Sequence, residues 1–598
     1  MQNNNLNSMR HTAAHVLAAA ASRLYPGAKF GVGPVVENGF FYDILFPSQI
    51  TEEDLATLEN EMRKIIKEGH EMAREELSLN EAVKLFGSMD QDFKLDLLEC
   101  LEEKGTTKIG DEEAEGIDLS KTDKVSVYRT GEFVDLCRGP HLSNVKDIGA
   151  FKLWKLAGAY WRGDEKNAQL QRVYGLCFET QEELDKYLAM LEESKKRDHR
   201  KIGAEQGLFA YSALVGSGLP MFTPKGATLR RLLDEFVWSL MKPHGYERVW
   251  IPHLAKSDLY KTSGHWDKFA EDIFHVTSKK TDDLFVLKPM NCPHHAQLFA
   301  SQPRSYRDMP VRFSEVTTVY RDENTGQLAG LTRVRSITQD DAHIFCTLDQ
   351  VKDEARAIYE IITKFYSAFG MPLSIRLSIN DPTHPEKYLG GAQVWENSVA
   401  TLKELLSDLG KTYEVGVGEA AFYGPKIDFM AHDAIGRVWQ LATIQLDFNQ
   451  PERFGLEYTD KDGAKKRPVM VHRAISGSLE RFIAVLIEHY AGAFPFWLSP
   501  VQIRLATVSG DYVGFAKRVL SELADVGLRV ELDDSDEKVG KKVRDAATMK
   551  IPWTIVIGSK EAEGGDYKIN VFGQEDDLVI AAQELVARAV EESKFPLN

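Results

Sequence analysis

Cysteine is scarce in this chain, with five residues in 598. That excludes a disulfide framework, and an odd count leaves at least one thiol unpaired, so a reducing, cytoplasmic setting is expected. No uninterrupted apolar run reaches membrane-spanning length, and no membrane partner is expected. The opening residues, Met-Gln-Asn-Asn-Asn-Leu-Asn, lack a basic segment followed by an apolar one, so no secretory signal is expected. Positive charge is also short: 73 Lys and Arg against 90 Asp and Glu leave a net charge of −17. That opposes general attraction to phosphate. It does not exclude a nucleic-acid partner, because a local basic face can dominate contact. Lys195, Lys196, Arg197, Arg200 and Lys201 form one such run; a solvated charged helix explains it equally well.

What is present supports large folded cores. Hydrophobic residues make up 43% of the chain, and its length suggests three or four domains. One stretch, 321–346, concentrates distinctive chemistry. A strand ending at Tyr320-Arg321, a polar turn with Gly326 and Gly330, and a second strand over 331–337 read as a hairpin. It carries Arg321, Glu323, Arg333 and Arg335, and Gln339, Asp340, Asp341 and His343 follow. Two forked guanidiniums facing one cleft suit a polyphosphate or an acyl phosphate. A solvated hairpin with surface ion pairs is the plainer alternative.

Near the N-terminus, Ser8 is a plausible cap for an alanine-rich helix, and His11 and His15, four apart, share one helical face. Asp135, Cys137 and His141 lie in a segment marked by Gly139-Pro140. Three readings compete: four zinc ligands, a pocket holding water for metal-free hydrolysis, or two buried histidines with a structural cysteine. Spacing alone favours zinc. Thr51 to Asp54 resembles a capping box, and Leu55, Leu58, Met62 and Ile65 or Ile66 recur at helical spacing as a core stripe. Residues 181–201 read as one long charged helix connecting two regions.

Further on, 229–240 reads as a helix and 246–252 as a strand ended by Pro252. Glu419 to Phe429 and Gln440 to Asp447 alternate as strands of an antiparallel sheet. From 503 onward, strands and helices alternate, which implies a parallel or mixed sheet with helices on its faces. Lys538, Lys541, Lys542 and Arg544 lie on one of those helices, suitable for phosphates or simply solvated.

These motifs together resemble the threonyl-tRNA synthetase family of class II aminoacyl-tRNA synthetases. Arg321-x-Glu323 with Gly330-Leu-x-Arg333-Val-Arg335 is similar to motif 2. Thr338-Gln339-Asp340-Asp341-Ala-His343, Lys288-Pro-Met-Asn-Cys292-Pro and Val471-His472 through Ser478 to Arg481, similar to motif 3, carry the particular family. Tyr246 to Pro252 is similar to motif 1, whose strand and proline form a dimer interface. The HxxxH at His11 and His15 with Cys137-Arg-Gly-Pro-His141 is similar to the family's editing domain.

The resemblance implies a multidomain α+β and α/β protein: an α+β editing domain at 1–190, a helical linker at 191–205, a class II catalytic domain built on an antiparallel sheet with helices at 206–497, and an α/β anticodon-binding domain at 498–598. It implies a threonine–tRNA ligase that forms threonyl-adenylate from L-threonine and ATP and transfers it to the 3′ end of threonine tRNA, with hydrolysis of seryl-tRNA. Cys292, His343 and His472 are the implied zinc ligands, one ion per subunit, and Mg²⁺ accompanies ATP. Arg321 would hold the α-phosphate and the carboxylate, Glu323 the adenine amino group, and Arg333 and Arg481 the γ-phosphate. Lys426 and Tyr423 would face substrate or phosphate, Gln440 and Gln445 would line the nucleotide pocket, and Gln339 and Asp341 would contact the amino acid. His11, His15, Asp135, Cys137 and His141 would line the editing pocket, where zinc is not required; a related arrangement in alanyl-tRNA synthetase editing domains does bind zinc. A homodimer is implied. Editing is physically sensible, because serine differs from threonine by one methyl, worth roughly 1–3 kcal/mol of discrimination.

The chain departs from the family pattern in three places. Only ten residues precede His11, so the family's small ubiquitin-like domain is not expected. Ile337 stands where an aromatic usually stacks on adenine. The strand Lys568-Ile-Asn570-Val-Phe572 lacks an arginine near Glu561, the expected anticodon contact. Two rivals are a catalytically inactive synthetase-like tRNA-binding regulator and a prolyl- or seryl-type class II enzyme; the retained arginines and the Cys/His/His trio oppose them.

Overall fold

A computed structural model describes residues 2–104 and 124–597. Positions 105–123, inside the expected editing segment, lie outside the described residues. The chain forms two compact units, Met1–Glu192 and Glu193–Asn598. No helix among the described residues is long and apolar enough to cross a membrane.

The first unit is α+β. Its opening helix, Gln2–Leu24, begins upstream of Ser8. Ser8 is therefore a buried interior residue and not the cap: its carbonyl accepts the Thr12 hydroxyl at 2.7 Å. The helix shares a core, through its alanines, with the aromatics and aliphatics of an antiparallel sheet in which Gly39–Leu45 pairs with Gln169–Phe178 and that strand with Ala150–Tyr160. Thr51 does form a capping box, its N–H donating to the Asp54 carboxylate at 2.8 Å. Leu55, Leu58, Met62 and Ile65 of Leu55–Glu68 are buried; Ile66 is the partly buried neighbour. A second, three-stranded sheet pairs Met72–Ser78, Lys124–Thr130 and Phe133–Leu136.

The expected single connector is two helices, Gln181–Lys196 and His199–Glu205. The break falls at Asp198, whose carboxylate accepts the Arg200 N–H at 2.8 Å and so caps a new helix. Much of the basic run is thereby engaged within the protein: Arg197 donates to Glu193 and to the His489 carbonyl, and Arg200 pairs with Asp198.

The second unit is built on an eight-stranded sheet. Its central strands are Val311–Tyr320, Ser336–Cys346, Val469–Ala474, Val438–Asp447, Lys426–His432 and Leu373–Ile379, successive neighbours pairing antiparallel. The edge strands Glu247–Arg248 and Glu414–Val417 join in parallel. One face is covered by the helices Pro224–Met241, Val351–Ser367 and Leu479–His489, whose apolar sides are buried with Ile344, Ile444 and Val471 of the sheet. The other face is the one left for chemistry.

Two strand expectations change here. The motif 1 strand is only Glu247–Arg248. The second hairpin strand starts at Ser336, not at 331. Its expected first half makes its backbone bonds elsewhere: Leu331 N–H donates to a His199 ring nitrogen and Arg335 N–H to the Gly218 carbonyl. Gln339, Asp341 and His343 consequently lie on the strand rather than after it.

The C-terminal part carries a mixed five-stranded sheet. Val530–Asp533, Ile503–Thr507 and Trp553–Ile557 are parallel, and Tyr567–Val571 and Leu578–Ile580 add antiparallel.

Candidate functional sites

Directly opposed residues of antiparallel strands share a face. In the large sheet His343 pairs with His472, His472 with Gln445, and Gln445 with Lys426. Four residues spread over 130 positions of sequence thus form one row across four strands, and Gln339 and Asp341 lie on the same face by two-residue alternation. Between Phe429 and Met430 the register slips, and Leu441 is the extra residue on the facing strand. The bulge reverses the alternation there and returns Gln440 to the face of Thr443 and Gln445. Its side-chain oxygen accepts from Arg376 at 2.9 Å.

Cys292, at the start of the helix Cys292–Ala300, closes a trio with His343 and His472 whose donor atoms lie within 4.8 Å of one another, all three buried. His472 directs Nε2 at the Asp447 carboxylate, 3.0 Å away, which leaves Nδ1 for a ligand. His343 Nδ1 lies 2.8 Å from His295 Nδ1. Burial lowers the His343 pKa well below its usual value and raises that of the Cys292 thiol. One thiol and two imidazoles with outer-layer partners fit zinc in the three-ligand pattern that keeps a position open. Tyr423 stacks on His472 at 4.8 Å between ring centroids and donates to Gln445. Asp341 accepts from Asn291 at 3.0 Å, and burial raises its pKa.

The arginines divide into two kinds. Arg321 Nε and Arg481 Nε are buried without a hydrogen-bond partner. Burial lowers both pKa values, and for Arg321 the nearby Glu323 and Asp272 carboxylates oppose that shift. Arg481 lies over the Trp439 ring at 5.8 Å. Arg333, by contrast, donates from Nε to Glu323 at 2.8 Å, and Arg335 grips the Glu323 carbonyl. Lys426 donates to Asp428 at 2.8 Å. Ile337 is half-buried opposite Val319.

In the first unit, Cys137 Sγ lies 3.3 Å from His11 Nε2 and 3.2 Å from His141 Nε2. His15 Nε2 is 3.5 Å from Asp135. Burial keeps His15 and His141 neutral, their pKa values pushed well down. The five expected residues therefore meet in one place.

Several neighbours escaped the sequence reading. Lys94 is buried and reaches Asp135 at 2.5 Å, while Tyr42 donates to the same carboxylate. A signal existed: Lys94 shares its helical face with Leu98 and Leu101, a cation where the periodicity demands an apolar residue. His265, fully buried, lies 3.7 Å from Cys292 Sγ and 2.8 Å from Ser263 Oγ, and burial pushes its pKa down to about 3. Nothing in its surrounding sequence marked it. Lys542 is the opposite case: it is buried, donating to the Thr507 carbonyl at 3.0 Å, and is not available to phosphate. Glu561 accepts the Gly558 N–H at 2.9 Å.

Three family models match. Residues 274–490 match the tRNA synthetase class II core domain (G, H, P, S and T), 125–174 the threonyl and alanyl tRNA synthetase second additional domain, and 502–592 an anticodon binding domain. Among curated relatives, a threonine–tRNA ligase of Gloeobacter violaceus is 46% identical over 97% of this chain and 91% of its own length. Threonine–tRNA ligase 1 of Bacillus subtilis is 45% identical over 98% of this chain and 89% of its own. A crystal structure of the RNA binding domain of threonyl-tRNA synthetase from Cryptosporidium parvum covers 67% of this chain and 99% of its own, at 35% identity and a TM-score of 0.64.

Proposed function

Because this chain belongs to the threonine–tRNA ligase family, and so joins threonine to tRNA at the expense of ATP and edits mischarged product, we propose the following division of labour among its residues. The chain divides into an editing domain at 1–190, a linker at 191–205, a catalytic domain at 206–497 and an anticodon-binding domain at 498–598. Cys292, His343 and His472 would hold zinc, which would supply a Lewis-acid template for the amino and hydroxyl groups of threonine; valine is nearly isosteric but brings no oxygen. Asp341, held by Asn291, and Gln339 orient the amino acid, with Tyr423 and Gln445 behind it.

Arg321 holds the α-phosphate and the threonine carboxylate. A carboxylate oxygen attacks phosphorus, pyrophosphate leaves, and the fixed guanidinium stabilises the charge that builds between them. Mg²⁺ travels with ATP. Arg481 and Arg333 take the γ-phosphate and Glu323 the adenine amino group. The Arg333–Glu323 pair must then open when ATP binds, exchanging one ion pair for two ligand contacts. Gln440 and Lys426 line the pocket. The 3′-hydroxyl of tRNA next attacks the threonyl carbonyl and AMP leaves.

His11, His15, Asp135, Cys137 and His141 hold the mischarged ester for attack by water. Glu561 meets the anticodon. Trp250, 77% exposed beside the edge strand Glu247–Arg248, supports a homodimer through that edge. Five free cysteines support a cytoplasmic setting.

The observation that carries the reading is the buried Cys292, His343 and His472 trio on the open sheet face, together with Nε atoms of Arg321 and Arg481 that are buried without a hydrogen-bond partner. ATP–pyrophosphate exchange with threonine, serine, valine and proline, on protein assayed for zinc, tests it. Exchange with threonine, weaker exchange with serine, none with valine and about one zinc per chain are expected. Zinc-free protein equally active on valine would remove the template role.

A further inference from the structure

His199 opens the helix His199–Glu205 and is 5% exposed. Its ring joins two segments far away in sequence. Nδ1 lies 2.6 Å from a Glu488 carboxylate oxygen, and the His199 backbone N–H donates to that same oxygen at 3.1 Å. Nε2 accepts the backbone N–H of Leu331 at 3.0 Å. A backbone amide only donates, so Nε2 carries the lone pair and Nδ1 the proton, which goes to Glu488. The other Glu488 oxygen takes Arg437 at 2.5 Å, and Arg437 also donates to Ser194 at 2.9 Å.

The approach is close. A Cβ at Gly330 would lie 2.3 Å from His199 Nε2, and Gly330 has φ +52°, so the turn requires glycine on both counts. From there the geometry passes to Arg333: Thr332 N–H bonds the Ala329 carbonyl at 2.9 Å, and Ala329 N–H bonds the Arg333 carbonyl at 3.1 Å. Arg333 in turn meets Glu323. His199 touches none of the reacting groups, yet through Leu331 it anchors the arm that carries Arg333.

We propose that His199 is a positioning residue for adenylation: through the Leu331 N–H it fixes the returning arm of the nucleotide-gripping loop, and it ties ATP affinity to the segment that leaves the N-terminal unit. The inference rests on the nucleotide roles assigned above to Arg333 and Glu323. Two near-isosteric variants separate its bonds. Asparagine reaches only as far as Nδ1 and keeps the donor to Glu488; glutamine reaches the Nε2 position and restores an acceptor for Leu331.

In threonine-dependent ATP–pyrophosphate exchange, His199→Asn should raise the KM for ATP roughly five- to tenfold, the worth of one hydrogen bond. Its threonine KM should stay within about twofold of the parent. His199→Gln should recover most of the ATP affinity. Thermal melts of both variants accompany the kinetics, because a role confined to stability would move the melting temperature without separating the two substrates. Equal ATP KM values in the two variants, or an unmoved KM in His199→Asn, overturn the inference while leaving the synthetase reading in place. Parent protein without exchange would overturn both.

Discussion

Asp447 offers a sharp test of the metal site, because its two oxygens do different work. Oδ1 accepts the backbone N–H groups of Asn449 at 2.8 Å and Gln450 at 2.9 Å. Oδ2 accepts Gln450 Nε2 at 2.9 Å and faces His472 Nε2 at 3.0 Å. In Asp447→Asn the amide oxygen can keep both backbone bonds while the NH₂ group turns to His472. Nε2 must then accept, the imidazole proton moves to Nδ1, and the lone pair intended for zinc is blocked. Loss of an outer-layer carboxylate weakens metal binding about 10–100-fold, which is about 1.4–2.7 kcal/mol. Zinc retention against a graded chelator series measures this directly. The KM for threonine should rise at limiting zinc and recover with added zinc, and the KM for ATP should not follow. An Asp447→Asn protein that holds zinc within threefold of the parent would refute the tautomer argument.

Ile337→Phe should lower the KM for ATP by up to about fivefold, the roughly 1 kcal/mol an aromatic partner adds opposite Arg481; an unchanged value in pyrophosphate exchange would count against a stacking role at this position. Burial holds His15 and His141 below their ordinary value of 6.5, so the unfolded chain binds more protons than the folded one as pH falls through about 6.5. Stability of the N-terminal unit should therefore be fully present above that pH and decline below it, while seryl-tRNA hydrolysis stays flat between about pH 8 and 6.5; a melting temperature insensitive to acid would contradict the assignment. In the C-terminal domain, Arg544→Ala should reduce the salt dependence of tRNA binding by about one unit of slope. Lys542→Ala should instead lower the melting temperature and leave the slope alone, since that ammonium is bonded inside the protein.

The residue clusters are legible where a motif carries them. Cys292, His343 and His472 converge, and so do His11, His15, Asp135, Cys137 and His141. The elements with strong local signals were equally plain: the capping box at Thr51, the stripe from Leu55 to Ile65, and the strand Trp553–Ile557. What stayed hidden depended on partners remote in sequence. Ser8 lost its capping role to residues upstream that continue the helix. Leu331 and Arg335 read as strand, yet His199 and Gly218 take their backbone groups. Lys542 read as a solvent-facing cation, and only the folded sheet shows that its ammonium tops the Thr507 strand. Lys94 was detectable in principle as a break in an apolar stripe, whereas His265 owes its place entirely to tertiary burial.

The bulge at Leu441 bears on how this enzyme can change over time. Everything on the reactive face depends on counting by twos, and one supernumerary residue reverses the count partway along a strand. Removing it would swing Gln440 toward the helices and leave Thr443 and Gln445 where they are. Length variation between relatives should accordingly be absorbed in the turns that join the strands and be purged within them, so that a single-residue gap inside 438–447 would be a better sign of a lost active site than many substitutions around it.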